Sequence, residues 1–181
     1  MYRLIPILFF FLFSCEQYNL PKKKAYLAHQ FKVPTYKSIT NNCPYSFQLN
    51  SISKINFDSN CNAKINNELL EADLFISNIK IKNNLELIKN DFNLKIADNS
   101  NKVSNIITSE FNNYENKVYA LYYSFVGDAP SNIQFYITDS ISNFVTGSLY
   151  FNSKPNYDSL LPSISYMKND IKKIIETFQW K

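Results

Sequence analysis

Along most of the chain, apolar and polar positions follow one of two periods. Ala25–Val33 carries enough apolar residues to open a domain as a strand and stops at Pro34. Pro44–Leu49 alternates with period two and predicts a strand. Cys61–Ile65 is a weaker one, and antiparallel pairing of these two would put Cys43 and Cys61 near opposite ends of a hairpin, close enough to bridge. Leu70–Ile81 is apolar and β-branched near its end and predicts a further strand. Then the period changes. Leu85, Ile88, Phe92 and Ile96 recur at helical spacing, and the helix is expected to end before Asn99-Ser100-Asn101.

Beyond that point Ile106–Phe111, Lys117–Val126, Asn132–Thr138 and Phe144–Phe151 read as strands. The last three are dense in Val, Tyr, Phe and Ile. Short connections at Gly127–Ser131 and Asp139–Asn143 make them an antiparallel meander. The chain closes with a helix on which Leu160, Ile164, Met167, Ile171, Ile174 and Phe178 step by four, three, four, three and four. Leu161 and Ile175 widen that stripe. Asp158 or Ser159 is expected to cap it, with Pro162 in its first turn. One face of this helix must be buried, most simply across the sheet. The predicted class is therefore α+β: a single domain with an antiparallel sheet, including the C-terminal meander, packed by two main helices.

The glycines sharpen this picture because there are only two. Gly127 follows a strand and is expected to take a positive φ in the turn. Gly147 lies inside a strand. That position predicts a bulge or a close backbone approach by the final helix, or alternatively by a ligand or partner. The structural reading of Gly147 is preferred. As a candidate contact surface, Gly127, Pro130 and Gly147 belong together.

The N-terminal end reads differently. Leu4–Phe13 is apolar throughout after a single positive charge, Arg3. It falls short of the roughly 20 residues that span a bilayer and has the shape of a secretory signal. Leu12-Phe13-Ser14-Cys15 resembles a bacterial lipobox, in which cleavage precedes a lipid-bearing Cys. Phe13 is bulkier than the usual residue there. The competing reading is an ordinary signal peptide with an incidental Cys. On the lipoprotein reading, residues 1–14 are the signal peptide, 15–24 the lipid anchor and linker, and 25–181 the domain.

The chain has three cysteines. If Cys15 carries lipid, Cys43 and Cys61 remain, both beyond the signal and both destined for an oxidising compartment. A disulfide is favoured over two buried thiols, and both alternatives stay open at this point. With the single His29 as the one extra candidate, they make a poor zinc site.

A chain that is 45% hydrophobic and 16% aromatic can build a core. Of its net charge of +4, Arg3, Lys22, Lys23 and Lys24 supply much, so no nucleic-acid footprint is visible. The search for chemistry is mostly negative. There is no Gly-rich phosphate loop, no nucleophile elbow and no metal-ligand spacing. Asp128, Asp139 and Asp158 lie near turns, where Asp usually bonds the local backbone. No cofactor is expected. Asp139-Ser140-Ile141 and Asp158-Ser159-Leu160 match an O-glycan acceptor pattern of Bacteroidota periplasmic proteins, although a turn and a helix cap account for them more simply.

From Val118-Tyr119-Ala120-Leu121-Tyr122-Tyr123 through Gly127-Asp128-Ala129-Pro130-Ser131-Asn132 to Asp139-Ser140, the chain resembles the GldD-type gliding-motility lipoproteins of Bacteroidota. Gly147–Asn152, Pro155–Leu160 and the ending Ile175–Lys181 continue the resemblance. Upstream, Cys15, Pro21-Lys22 with Tyr26, and Cys43-Pro44 with Cys61 also fit. Between Asn62 and Asn116 the likeness is thin. The resemblance implies an envelope lipoprotein needed for gliding and for type IX protein secretion. It implies no catalytic activity, Cys15 as the anchor, and Cys43 with Cys61 as a bridge. Its expected partners are other motility or secretion lipoproteins and envelope components, with the membrane reached through the lipid from an outer-membrane, periplasm-facing position. The alternative is a periplasmic binding module or enzyme acting on lipid, glycan or peptidoglycan, which predicts a deep aromatic-lined pocket.

Overall fold

The computed structural model describes residues 31–181. Its centre is a seven-stranded antiparallel sheet in the order β4-β5-β6-β10-β9-β8-β7. The strands are β4 (Lys54–Phe57), β5 (Ala63–Asn67), β6 (Ala72–Lys80), β7 (Val103–Asn113), β8 (Val118–Gly127), β9 (Ile133–Thr138) and β10 (Asn143–Phe151). The expected meander is present as β8–β9–β10, and β7 extends it at one edge. Helix α1 (Leu85–Asn99) carries the chain from β6 across the sheet to β7. The fold is α+β, as the periodicity predicts.

Alternation along the strands divides the apolar residues between two faces. The inner face takes Ile65, Leu74, Ile76, Val118, Ala120, Tyr122, Ile133, Phe135, Ile137, Val145 and Leu149. Helix α2 (Tyr157–Glu176) lies on this face against β8 and β9, and it buries Leu160, Ile164, Met167, Ile171, Ile174 and Ile175. The outer face takes Phe125, with Tyr123 and Tyr136. Helix α1 covers that part with Phe92 and Ile96, and Phe92 meets the Tyr136 ring edge-on at 5.3 Å. The two helices thus sit on opposite faces of the sheet. Leu87 and Leu94 of α1 remain exposed.

Beside α2, the inner face is completed by a small layer: β1 (Tyr36–Ser38) pairs with β3 (Gln48–Asn50), and β2 (Tyr45–Ser46) pairs with β11 (Gln179–Trp180). Pro44–Leu49 therefore does not run as one strand. Its backbone changes partner at Phe47, where the Phe47 carbonyl accepts Ile39 N–H and the Thr177 hydroxyl accepts Gln48 N–H. The expected hairpin between this run and Cys61–Ile65 does not form either; β5 pairs with β4 and β6 instead. Tyr45, Phe47 and Phe178 stack within this layer, Tyr45 and Phe178 at 5.4 Å.

Three further expectations shift. Of the strand expected at 25–33, residues 25–30 lie outside the described residues, and 31–33 are not strand. Helix α2 is capped by Asn156, whose side chain accepts Ser159 N–H, so Asp158 and Ser159 fall inside its first turn. Pro162 is inside the helix, beyond the first turn, where its missing N–H removes one helical bond.

The chain's lead-in is fastened to α2 by a buried carboxylate. Asp170 accepts from Asn50 Nδ2 at 2.9 and 3.1 Å and from the Tyr36 hydroxyl at 2.9 Å. The Tyr166 hydroxyl donates to the Lys32 carbonyl. Burial raises the Asp170 carboxyl above its usual range, against the hydrogen bonds from Asn50 and Tyr36, which lower it.

Candidate functional site

The connection Gly127–Asn132 between β8 and β9 links the two helices. Gly127 takes φ +134, and a Cβ there would lie 2.8 Å from Lys102 O and Val103 Cα. The conformation and the close approach of the β7 backbone therefore both require glycine. The register of β7 against β8 shifts between Val103 and Asn105, where that approach occurs. Ala129 turns inward, 2% exposed, against Phe92, Ile96 and Phe125.

Side chains then fix the loop from three directions. Asn99, at the end of α1, donates Nδ2 to Ser131 O at 2.7 Å and accepts Ser131 N–H at 3.0 Å, with both residues buried. Asn132 Nδ2 donates to Gly127 O, and the Ser131 hydroxyl donates to Ile133 O. The Asp128 carboxylate accepts Tyr157 N–H at 2.7 Å, satisfying a free donor at the N-terminal end of α2 beside the Asn156 cap. The loop is thus bolted to α1 by Asn99 and to α2 by Asp128. Pro130 is left exposed at its tip. It borders two clefts, one of about 450 Å³ shared with Lys102, Asp128 and Lys154, the other of about 270 Å³ shared with Lys95, Gln134 and Tyr150.

Gly147 belongs elsewhere. It is buried on the inner face opposite Phe135 of β9. A Cβ on Gly147 would lie 2.2 Å from Phe135 Cζ and 2.3 Å from Cε1. The pairing of β10 with β6 and β9 runs through it without a break. There is no bulge, and what covers it is neither the final helix nor a surface open to a partner but a cross-strand phenyl ring. The expectation that grouped Gly147 with Gly127 and Pro130 in one contact surface is corrected accordingly.

Cys15 lies outside the described residues, as does His29. Cys43 and Cys61 are joined in a disulfide with their Cα atoms 5.5 Å apart. Cys43 precedes β2, and Cys61 sits at φ +61 in the β4–β5 turn. The bridge staples the small layer to the sheet edge, and the Tyr45 hydroxyl supports it by donating to Cys61 O at 2.6 Å. Asp58 organises that turn. It accepts the side-chain and backbone N–H of Asn62 and the backbone N–H of Asn60, which hold its carboxyl below the usual range. A cleft of about 760 Å³ opens beside the bridge. Asn41, Asn60, Asn78, Lys80 and Lys181 are among the residues that line it, and no aromatic side chain among the described residues does.

Of the acids near turns, Asp128 and Asp139 accept from backbone N–H groups. Burial alone would raise Asp139, but the N–H groups of Asn143, Ile141 and Ser142 and the Asn143 amide together hold it below its usual range. Asp139-Ser140-Ile141 is this tight turn, with Ser140 at φ +64, and Asp158-Ser159-Leu160 is the opening of α2. Among the described residues, no group of three or more His, Cys, Asp or Glu is placed to hold a metal ion. No helix among them is long and apolar enough to cross a membrane.

Asn99, Asp128 and Asn156 were not singled out as fixtures by the sequence. Asn is common throughout the chain, so only the buried two-way bond to Ser131 distinguishes Asn99. A family model described as gliding motility lipoprotein GldD matches residues 16–180. No match was found among curated proteins or among solved structures.

Proposed function

Because the chain belongs to the GldD family of gliding-motility lipoproteins, we propose that it is a non-catalytic envelope component of gliding motility, of type IX protein secretion, or of both. It acts through protein–protein contacts at a membrane surface. Lipid on Cys15 holds it there, facing the periplasm from the outer membrane. Stable attachment takes more than one acyl chain, and sharing a surface raises the effective concentration of partners.

The observation that carries this reading is the Gly127–Asn132 loop. Its backbone is fixed to both helices, and its one exposed apolar tip, Pro130, stands between two clefts. A preorganised loop on a rigid scaffold loses little conformational freedom on binding. Asp128, the acid of this loop, is engaged with the Tyr157 backbone N–H.

The test is Pro130→Glu in the full-length lipoprotein in cells. The variant should keep the wild-type melting temperature, reduce spreading or secretion, and lose co-purification with motility or secretion lipoproteins. Wild-type motility, secretion and co-purification would refute the role of this loop. Mass spectrometry of the mature N-terminus tests the anchor: an unmodified chain starting anywhere but Cys15 overturns it.

A further inference from the structure

The two edges of the sheet are unlike. β4 is four residues long and begins with Lys54. Shortness and an edge lysine are common guards against pairing with another chain. β7 has 11 residues, VSNIITSEFNN, with neither Lys nor Pro and a single charge at Glu110. Its pairing is with β8 alone among the described residues, so one side of its backbone presents N–H and C=O groups that no strand pairs, with the Ile106 N–H taken by Asn105 Oδ1. Its register shift lies at one end, leaving Asn105–Asn113 regular. Ile107, on the inner-face side of this strand, is 44% exposed.

Behind the edge lies a slot of about 210 Å³ between β7, β8 and α2. Phe111, Ala120, Tyr122 and Ile175 line it, with Lys172 and Glu176. Tyr122 is 4% exposed, and its hydroxyl finds no hydrogen-bond partner among the described residues. Ser124, on the same face, influences that hydroxyl without reaching hydrogen-bond geometry. Native proteins rarely leave a buried hydroxyl unpaired, and the exceptions call for an explanation.

We propose that β7 is a strand-addition site: an extended segment of another envelope protein pairs with its free edge and sends one long, mostly apolar side chain with a hydrogen-bonding tip into the slot, to the Tyr122 hydroxyl. This rests on the reading of the protein as an interaction component and adds a surface separate from the Gly127–Asn132 loop. The occupant follows from the chemistry. A row of backbone donors and acceptors is complementary to an extended peptide backbone, and a neighbouring pocket selects a side chain. A second copy of β7 fits poorly. Its residues on this face are Asn105, Ile107, Ser109, Phe111 and Asn113, none of them both long and polar-tipped. Lys172, Glu110 and Glu176 at the slot give its rim one positive and two negative charges.

The experiment places a photo-crosslinking amino acid at Ile107 or Ser109, both exposed, in the full-length lipoprotein in intact cells, with the crosslinked peptides sequenced. The expected result is one segment of one other envelope protein, with the crosslinked position moving by two residues as the probe moves by two. Tyr122→Phe should cut the yield about fivefold without lowering the melting temperature, since the free protein loses only an unpaired hydroxyl. Crosslinks to β7 of a second copy or to residues 16–30 of the same chain would overturn the proposal. So would crosslinks without the two-residue step, none at all, or a yield that Tyr122→Phe leaves unchanged. A probe at Pro130 separates the two levels. Crosslinks to other envelope proteins from Pro130 but none from β7 remove strand addition alone, and none from either removes the interaction reading as well.

Discussion

Gly147→Ala puts one methyl group into a sheet position that a cross-strand phenyl ring already covers. The added carbon would sit 2.2 Å from Phe135 Cζ, and the phenyl ring is itself fully buried. Comfortable carbon–carbon contact is about 3.5–4.0 Å, so the ring must move by more than about 1 Å into a packed interior. Overpacking costs about 1–3 kcal/mol, and a clash this deep belongs in the upper part of that range, about 2–3 kcal/mol. Alanine recovers about 0.5–1 kcal/mol over glycine in a strand, leaving a net loss of about 1–2 kcal/mol, and valine should cost more. With a urea dependence of about 2 kcal/mol per molar, the unfolding midpoint of the chain from residue 16 onward should fall by about 0.5–1 M. The double variant Gly147→Ala/Phe135→Leu is the sharper measurement. If the ring is the obstacle, shrinking it relieves the clash, and the two losses together fall short of their sum by about 1 kcal/mol or more. A neutral or stabilising Gly147→Ala, or strict additivity, would refute the account of Phe135 over Gly147.

Replacing both Cys43 and Cys61 by Ser should lower stability by about 3 kcal/mol, from the loop closed across a sequence separation of 18; reducing agent should lower wild type equally and the variant not at all. Asn99→Ala strips two buried bonds from the Ser131 backbone and should cost about 2–3 kcal/mol, with hydrogen exchange accelerating first in residues 127–132. Asp170 is raised in the folded state by burial. Its contribution is therefore fully present below the unfolded value of about 3.9 and lost as pH rises through the folded pKa. Urea unfolding of wild type against Asp170→Asn should show wild type losing ground as pH rises above the unfolded carboxylate range, and a difference that stays flat with pH would exclude a raised carboxyl.

What the sequence made legible follows the range of the forces involved. The meander and α2 are set by local periodicity, and residues such as Ile133, Ile137, Ile164 and Ile171 announce their faces directly. The small inner layer is set by contacts across the whole chain. Nothing near Phe47 says that its strand will change partner, because Thr177, which takes the Gln48 N–H, lies at the far end of the sequence. β4 escaped notice because Lys54–Phe57 is short, half-exposed and set among Ser and Asn. Asn156 as cap and Asn99 as clamp were hidden for another reason: in so Asn-rich a chain, residue type alone marks no position. Gly147 was recognised as a point of close approach, but alternation alone does not say which neighbour covers it. The slot behind β7 depends on α2 overhanging a sheet edge, which no local pattern records.

The pairing of β2 with β11 bears on how the molecule is made. Tyr45 meets Trp180 and Ser46 meets Gln179, so the small layer cannot close until the last residues of the chain are available. Until residues 157–181 arrive, the inner face of the meander has no helix to cover it, and its Val, Ile and Phe side chains stand open to wrong partners. Such long-range pairings fold slowly and prolong that exposure. A chain emerging N-terminus first would pass through an aggregation-prone interval that ends when α2 and β11 dock.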